Sequence, residues 1–184
     1  MCRRFRIEPE ESRHLEVYQN LFLDNEMDVR VGDKACGIVL NRNGFALSYL
    51  TFGFQAYDSS LIYNARNETI LEKSLFSKNF ANKIVFPCTS FYEKGKNGIE
   101  YEFLSDDDSL LYLCGFYNDE NRFVLLTENS SNQLSSYHSR MPVVIEKDEV
   151  QRYLENRYDF LNLSLRKRPS IHKKGDWVQL SLFD

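Results

Sequence analysis

Between residues 35 and 127 the chain is a succession of short apolar runs, rich in β-branched and aromatic residues, each stopped within a few residues by asparagine, aspartate or glycine. Runs this short and this often interrupted fit strands that turn back on their neighbours better than helices. The runs 35–40 and 45–54 flank Asn43-Gly44, which predicts a hairpin, because Asn-Gly accepts the positive φ angles of a tight turn. A second hairpin is predicted at Asn97-Gly98, between 91–92 and 99–103. Residues 83–86, 110–116 and 122–127 read as further strands, with a turn over 118–121. Helical spacing is confined to Ser12, Leu15, Tyr18, Leu21 and Phe22, to 71–79 and to 148–157. The expectation is an α+β domain, mostly β, with a curved, barrel-like central sheet and a few flanking helices.

At 184 residues, 42% hydrophobic and 27% charged, the chain suits one domain with a sizeable core, expected over residues 1–165 and followed by a basic tail over 166–184. It shows no repeat or low-complexity segment. Its opening, Met1-Cys2-Arg3-Arg4-Phe5-Arg6, lacks the apolar run of a secretory signal, and no stretch approaches a membrane span, so a cytoplasmic location is expected. Cys2, Cys36, Cys88 and Cys114 are widely spaced without a C-x-x-C pair, which argues against structural zinc and against disulfides. The net charge of −4 and pI near 5.5 offer no long-range attraction to phosphate. Any nucleic-acid contact must therefore come from a local patch, such as Arg3, Arg4 and Arg6 or the cations over 166–174.

Cys2 carries the most distinctive chemistry. Removal of Met1 exposes an α-amine beside the thiol, a 1,2-aminothiol that condenses with an aldehyde to an imine and then closes to a thiazolidine. An α-amine has a reference pKa of about 8, against about 10.4 for lysine, so a useful fraction is neutral at physiological pH. Alone, a cysteine at position 2 is more often an ordinary terminal residue.

Its context is four separated segments. Met1-Cys2-Arg3-Arg4-Phe5, Tyr63-Asn64-Ala65-Arg66-Asn67-Glu68-Thr69, Ser90-Phe91-Tyr92-Glu93 and Tyr137-His138-Ser139-Arg140-Met141-Pro142-Val143 follow one another in the order found in one family. In these segments the chain resembles the SOS response-associated peptidases, the abasic-site processing proteins. The resemblance implies a sensor that binds single-stranded DNA, captures the ring-opened abasic sugar on Cys2 and holds it as a covalent cross-link during replication-coupled repair. Asn64 is then expected to orient the adduct, Glu93 to shuttle protons and His138 to act as acid or base. Arg4, Arg66 and Arg140 would hold phosphates, Phe52 would stack against bases, and Thr127 would touch the site. A monomer without metal or organic cofactor is implied.

Three departures accompany the resemblance: Arg3 stands where the family has glycine, and Phe52 and Lys94 stand where it has tryptophan. Two other readings stay open. One is an N-terminal-nucleophile peptidase acting on its own leader; the other is a DNA-binding adaptor whose site has decayed. At the far end Gln179-Leu180-Ser181-Leu182-Phe183 has the pattern of peptides that dock on the bacterial sliding clamp, with Gln179, Leu180, Leu182 and Phe183 as the contacts. The alternative for that segment is a terminal strand packed on the domain.

Overall fold

The computed structural model describes residues 1–8, 27–130, 134–155 and 169–174. The chain enters as strand β1 (Arg4–Ile7), followed by β2 (Met27–Arg30), β3 (Lys34–Asn41) and β4 (Gly44–Phe52). The short strands β5 (Phe54–Gln55), β6 (Leu61–Ile62) and β7 (Asn64–Arg66) lead into a 3-10 segment, Asn67–Glu72, and helix α1 (Ser74–Ser77). Next come β8 (Lys83–Cys88), β9 (Ser90–Lys94), β10 (Glu100–Ser105), β11 (Leu111–Tyr117) and β12 (Arg122–Asn129). Strands β13 (Arg140–Pro142) and β14 (Val144–Ile145), a 3-10 turn at Lys147–Glu149, helix α2 (Val150–Leu154) and strand β15 (Ile171–Lys173) complete it.

Two sheets share the core. The larger runs β13-β12-β4-β3-β8-β11-β14, and because β12 also pairs with β11 it closes on itself, which gives the expected barrel-like curvature. The smaller has the order β15-β10-β9-β1-β2. In the larger sheet β8, β11 and β12 are buried on both faces. Phe123 and Leu125 of β12 point into one apolar cluster and Val124 and Leu126 into the other, which is why the sequence there is a continuous apolar run instead of an alternating one. Gly115 lets two barrel strands approach, since a Cβ there would lie 2.6 Å from the Val124 carbonyl oxygen.

The predicted hairpins form, with one difference. β3 and β4 pair from Lys34↔Thr51 to Asn41↔Gly44, and the positive φ falls on Gly44 (+109°), not on Asn43. Asn41 Oδ1 instead accepts the Asn43 N–H at 2.8 Å, so the side-chain bond sets the turn and glycine absorbs the strained angle. Of the predicted helices, 71–79 condenses to α1 after a 3-10 segment, and 148–157 to a 3-10 turn and α2 within the described residues. The helix over Ser12 to Phe22 and the peptide Gln179 to Phe183 lie outside the described residues. The tail corrects a boundary: β15 pairs antiparallel with β10, Lys174 Nζ lies 3.0 Å from Glu102, and His172 Nδ1 lies 3.0 Å from Asp106. The folded unit thus extends to Lys174 instead of ending at 165, because Ile171 buries its side chain in the core. Among the described residues no helix is long and apolar enough to cross a membrane.

One core residue is out of keeping with its surroundings. Lys83 is buried at the start of β8, its Nζ over the Phe80 ring and 5.1 Å from the Tyr153 ring centroid. Removal from water pushes its pKa down to about 6, the rings offsetting only part of that cost. The folded state therefore sheds a proton that the unfolded chain keeps up to its ordinary lysine pKa. The penalty is full below about pH 6, shrinks as pH rises and is gone above the unfolded value. Lys83→Met is accordingly expected to raise the melting temperature at pH 7 by on the order of 5 °C, with the gap narrowing by pH 10. Thermal melts of both proteins across this range would refute the account if the gap were constant.

Candidate active site at the N-terminus

The start of the chain is held by pairing on both sides. β1 lies between β2 and β9, with Arg4 opposite Arg30 on one flank and Tyr92 on the other, and Phe5 and Ile7 face the core. A terminus tied into a sheet interior does not fray. This register delivers residues 1–3 to Glu93, the next residue of β9.

The Met1 α-amine lies 2.7 Å from Glu93 Oε2 and 3.1 Å from His138 Nε2. Beneath it Cys2 is fully buried, its Sγ donating to the Arg4 carbonyl oxygen at 3.5 Å. Burial, and next the adjacent Glu93, push the thiol pKa well above the usual range, so in this state the sulfur is a neutral thiol. Glu93 is 1% exposed, and burial pushes its carboxyl up to about 7, with the Met1 ammonium pulling the other way. His138 is oriented through its other ring nitrogen, Nδ1, which lies 3.0 Å from the Arg140 amide nitrogen and 2.9 Å from the Arg140 carbonyl oxygen.

Asn64 arrives from the far side. β7 runs parallel to β12, pairing Asn64 with Leu125, and Asn64 Nδ2 donates to the Cys2 carbonyl at 2.7 Å across 62 residues of sequence. Two buried acceptors of this site, Asn64 Oδ1 and Glu93 Oε1, have no hydrogen-bond partner among the described residues. Buried acceptors without donors are costly, and here both belong to groups ranged around the terminal amine.

The structure thus brings Cys2, Asn64, Glu93 and His138 together. The other expected residues are placed differently. Phe52 is fully buried and stacked on Phe123 at 4.7 Å, so it is a core residue and cannot serve as a shelf for bases. Thr127 is also fully buried, its hydroxyl donating to the Ala65 carbonyl at 3.4 Å and accepting from Arg140 Nη2 at 3.2 Å, so it supports the Asn64 strand and has no exposed surface of its own. Arg140 spends its fork internally, on both Glu68 oxygens at 2.8 and 2.9 Å and on the Thr127 carbonyl at 2.7 Å. That bidentate pair holds the Glu68 carboxyl below its usual range and fixes the segment that carries His138 to β12. Arg4 is likewise committed, to Asp28 at 2.7 and 2.9 Å and to Glu100 at 2.7 Å, with its guanidinium 4.0 Å from the Tyr92 ring centroid. Of the four expected phosphate and stacking residues, only Arg66 is exposed without a competing partner among the described residues.

Beside the amine opens a cavity of about 520 Å³ whose lining includes Met1, Arg3, Arg4, Arg30, Tyr92 and Lys94. Glu100 also lines it, paired with Arg4, so Arg3, Arg30 and Lys94 give it the local positive character that the acidic bulk charge does not supply. Arg30 and Lys94 were not expected here; neither has any sequence signal beyond its charge, since β2 and the end of β9 meet only through β1.

A family model described as SOS response associated peptidase matches residues 1–175. The chain belongs to the SOS response associated peptidase family. Its fold agrees with that of two bacterial crystal structures. A protein from Bordetella bronchiseptica superposes with a TM-score of 0.71 at 16% identity, over 94% of this chain and 99% of the other. A protein from Bacteroides thetaiotaomicron gives 0.62 at 18% identity, over 89% and 85%. No curated protein matches. For this SOS response associated peptidase, then, the four segments recognisable in the sequence are the ones that meet at its first two residues. Within the site the terminal amine, a carboxyl with a pKa raised to about 7 and an imidazole lie beside a buried thiol.

Proposed function

We propose that this protein captures abasic sites in single-stranded DNA as a covalent adduct on Cys2. The observation that carries the reading is the position of the N-terminal amine between Glu93 and His138, directly above a sequestered thiol. Removal of Met1 moves the amine by one residue, at most about 3.6 Å of chain, and makes it the α-amine of Cys2. That amine adds to the C1′ aldehyde of the ring-opened sugar, and loss of one water gives an imine. Sγ then adds to the imine carbon while its proton passes to nitrogen, closing a thiazolidine without oxidant or reductant. Glu93, near neutrality in pKa, suits protonation of the departing hydroxyl and recovery of that proton; His138 suits opening of the sugar ring. Asn64 Oδ1 and Glu93 Oε1 offer vacant acceptors to the sugar hydroxyls and the nitrogen proton.

Intact-mass analysis of the processed protein with a single-stranded abasic oligonucleotide tests this. The expected adduct equals the sum of the two masses less one water and persists without borohydride; no adduct would overturn the proposal. A second reading, cleavage of the protein's own leader, is favoured by the placement of the Met1 amine on Glu93 and His138. It requires Met1 to be lost during cell-free synthesis without aminopeptidase, and to be retained in Glu93→Gln.

The pH dependence follows from the same groups. Cross-linking needs a protonated Glu93, whose fraction falls above about 7. The rate should therefore decline on the alkaline side of that value. Glu93→Gln is expected to lower the maximum by about 100-fold and to abolish the alkaline decline. An unchanged profile would remove Glu93 from the chemistry.

A further inference from the structure

Arg3 directly follows the nucleophile in the chain, and its surroundings differ from those of its neighbours. It is exposed, and its guanidinium lies over the Tyr63 ring, 5.4 Å from the centroid. Tyr63 is anchored: its ring meets Phe52 edge-on at 6.4 Å, and Phe52 stacks on Phe123 in the core. Arg3 therefore rests on a platform that reaches the protein interior, whereas its hydrogen-bond donors have no carboxylate partner among the described residues. Arg4, one residue on, is tied down by Asp28 and Glu100, and Arg30 shares Asp28 at 3.5 Å. Arg3 also lines the basic cavity beside the terminal amine.

We infer that Arg3, carried on Tyr63, binds the phosphate adjoining the abasic sugar and so fixes the lesion over Cys2. The inference rests on the reading of Cys2 given above. A ring platform leaves both edges of the guanidinium fork free for non-bridging oxygens, and it restricts the rotamers of a side chain that would otherwise lose much freedom on binding. Arg3 and Cys2 are consecutive, with Cα atoms about 3.8 Å apart, so an oxygen held by one and a sugar carbon bonded to the other can belong to the same nucleotide. Arg4, already paired twice, would have to break those contacts first. Arg3 is thus a positioning residue, and Tyr63 is its support.

The test uses an oligonucleotide with a tetrahydrofuran abasic analogue, which has no aldehyde and reports binding alone. Fluorescence anisotropy across a salt series is expected to show Arg3→Gln weakening binding about 10-fold at low salt, with the slope of log K against log salt reduced by about 0.7. Tyr63→Leu should give a smaller loss, about threefold, with the slope kept. Replacing the phosphates flanking the analogue by methylphosphonates should weaken the wild-type chain about 10-fold and leave Arg3→Gln nearly unchanged. Equal losses for both proteins on methylphosphonate, or an unaltered salt slope in Arg3→Gln, would overturn the assignment. Thermal melts confirm that each variant is folded. A wild-type chain showing this Arg3 signature on the analogue but no adduct with a true abasic site would sink the cross-linking reading alone, and one that ignores both oligonucleotides would sink both.

Discussion

Replacing Cys2 by alanine is expected to reduce the yield of stable adduct by at least about 100-fold while single-stranded DNA affinity stays within a factor of about two, because the thiol supplies a bond and the cations supply the attraction. The α-amine of the Cys2→Ala variant can still form an imine, but without sulfur there is no ring closure, and the product should survive only after borohydride reduction. Cys2 is fully buried, so the substitution leaves a small void; the cost is about 1 kcal/mol, which a chain with this core tolerates. A thermal melt close to that of the parent would establish that the loss is chemical. Wild-type yield of a reductant-independent adduct from Cys2→Ala would refute the assignment of the nucleophile.

Retention of Met1 should be as damaging, and for a different reason. With Met1 in place the nitrogen of Cys2 is an amide and cannot form an imine, the free amine belongs to a residue with a thioether, and the ammonium occupies Glu93 at 2.7 Å. The Cys2 thiol is also fully buried and held neutral by that burial. In the unprocessed chain the Met1 amine therefore engages both Glu93 and His138. Protein made in the presence of a methionine aminopeptidase inhibitor, and verified by mass to keep Met1, should cross-link at least about 100-fold more slowly than processed protein from the same cells. Adduct at the processed rate on a chain that still carries Met1 would exclude the 1,2-aminothiol mechanism. The pairing also predicts its own release: once Met1 is gone, the amine it presented to Glu93 and His138 is replaced by one bonded to the carbon that bears the thiol-carrying side chain.

The sheet was legible in the sequence, and so were the segments that meet at the N-terminus, because both are written locally. Strand runs, Asn-Gly and Asn-rich turns act over a few residues, and the backbone responds to them before any distant contact is made. Cys2, Asn64, Glu93 and His138 were recognisable by segment, although their convergence was not: Asn64 reaches the Cys2 carbonyl across 62 residues, and His138 reaches the Met1 amine across 137. The shorter edge strands were less visible; β15 carries the basic Ile171-His172-Lys173, and only pairing with β10 makes a strand of it.

Residue type alone says least about which cations and aromatics are available to a ligand. Arg4 and Arg140 have the right chemistry for phosphate, and Phe52 has the right ring for a base. Whether a guanidinium is available depends on which carboxylate the fold sets beside it, Glu100 for Arg4 at 96 residues' distance and Glu68 for Arg140 at 72. Whether a ring is a shelf or a core residue depends on what covers it, and Phe123 covers Phe52. The sequence by itself determined the kind of sheet and the turns, and it singled out Cys2 as the candidate nucleophile, since these follow from backbone preference and from the chemistry of one side chain. The tertiary structure alone decided which charges remain free, leaving Arg3 open on Tyr63 while Arg4 is neutralised, because ion pairing and burial are set by neighbours in space that no local pattern records.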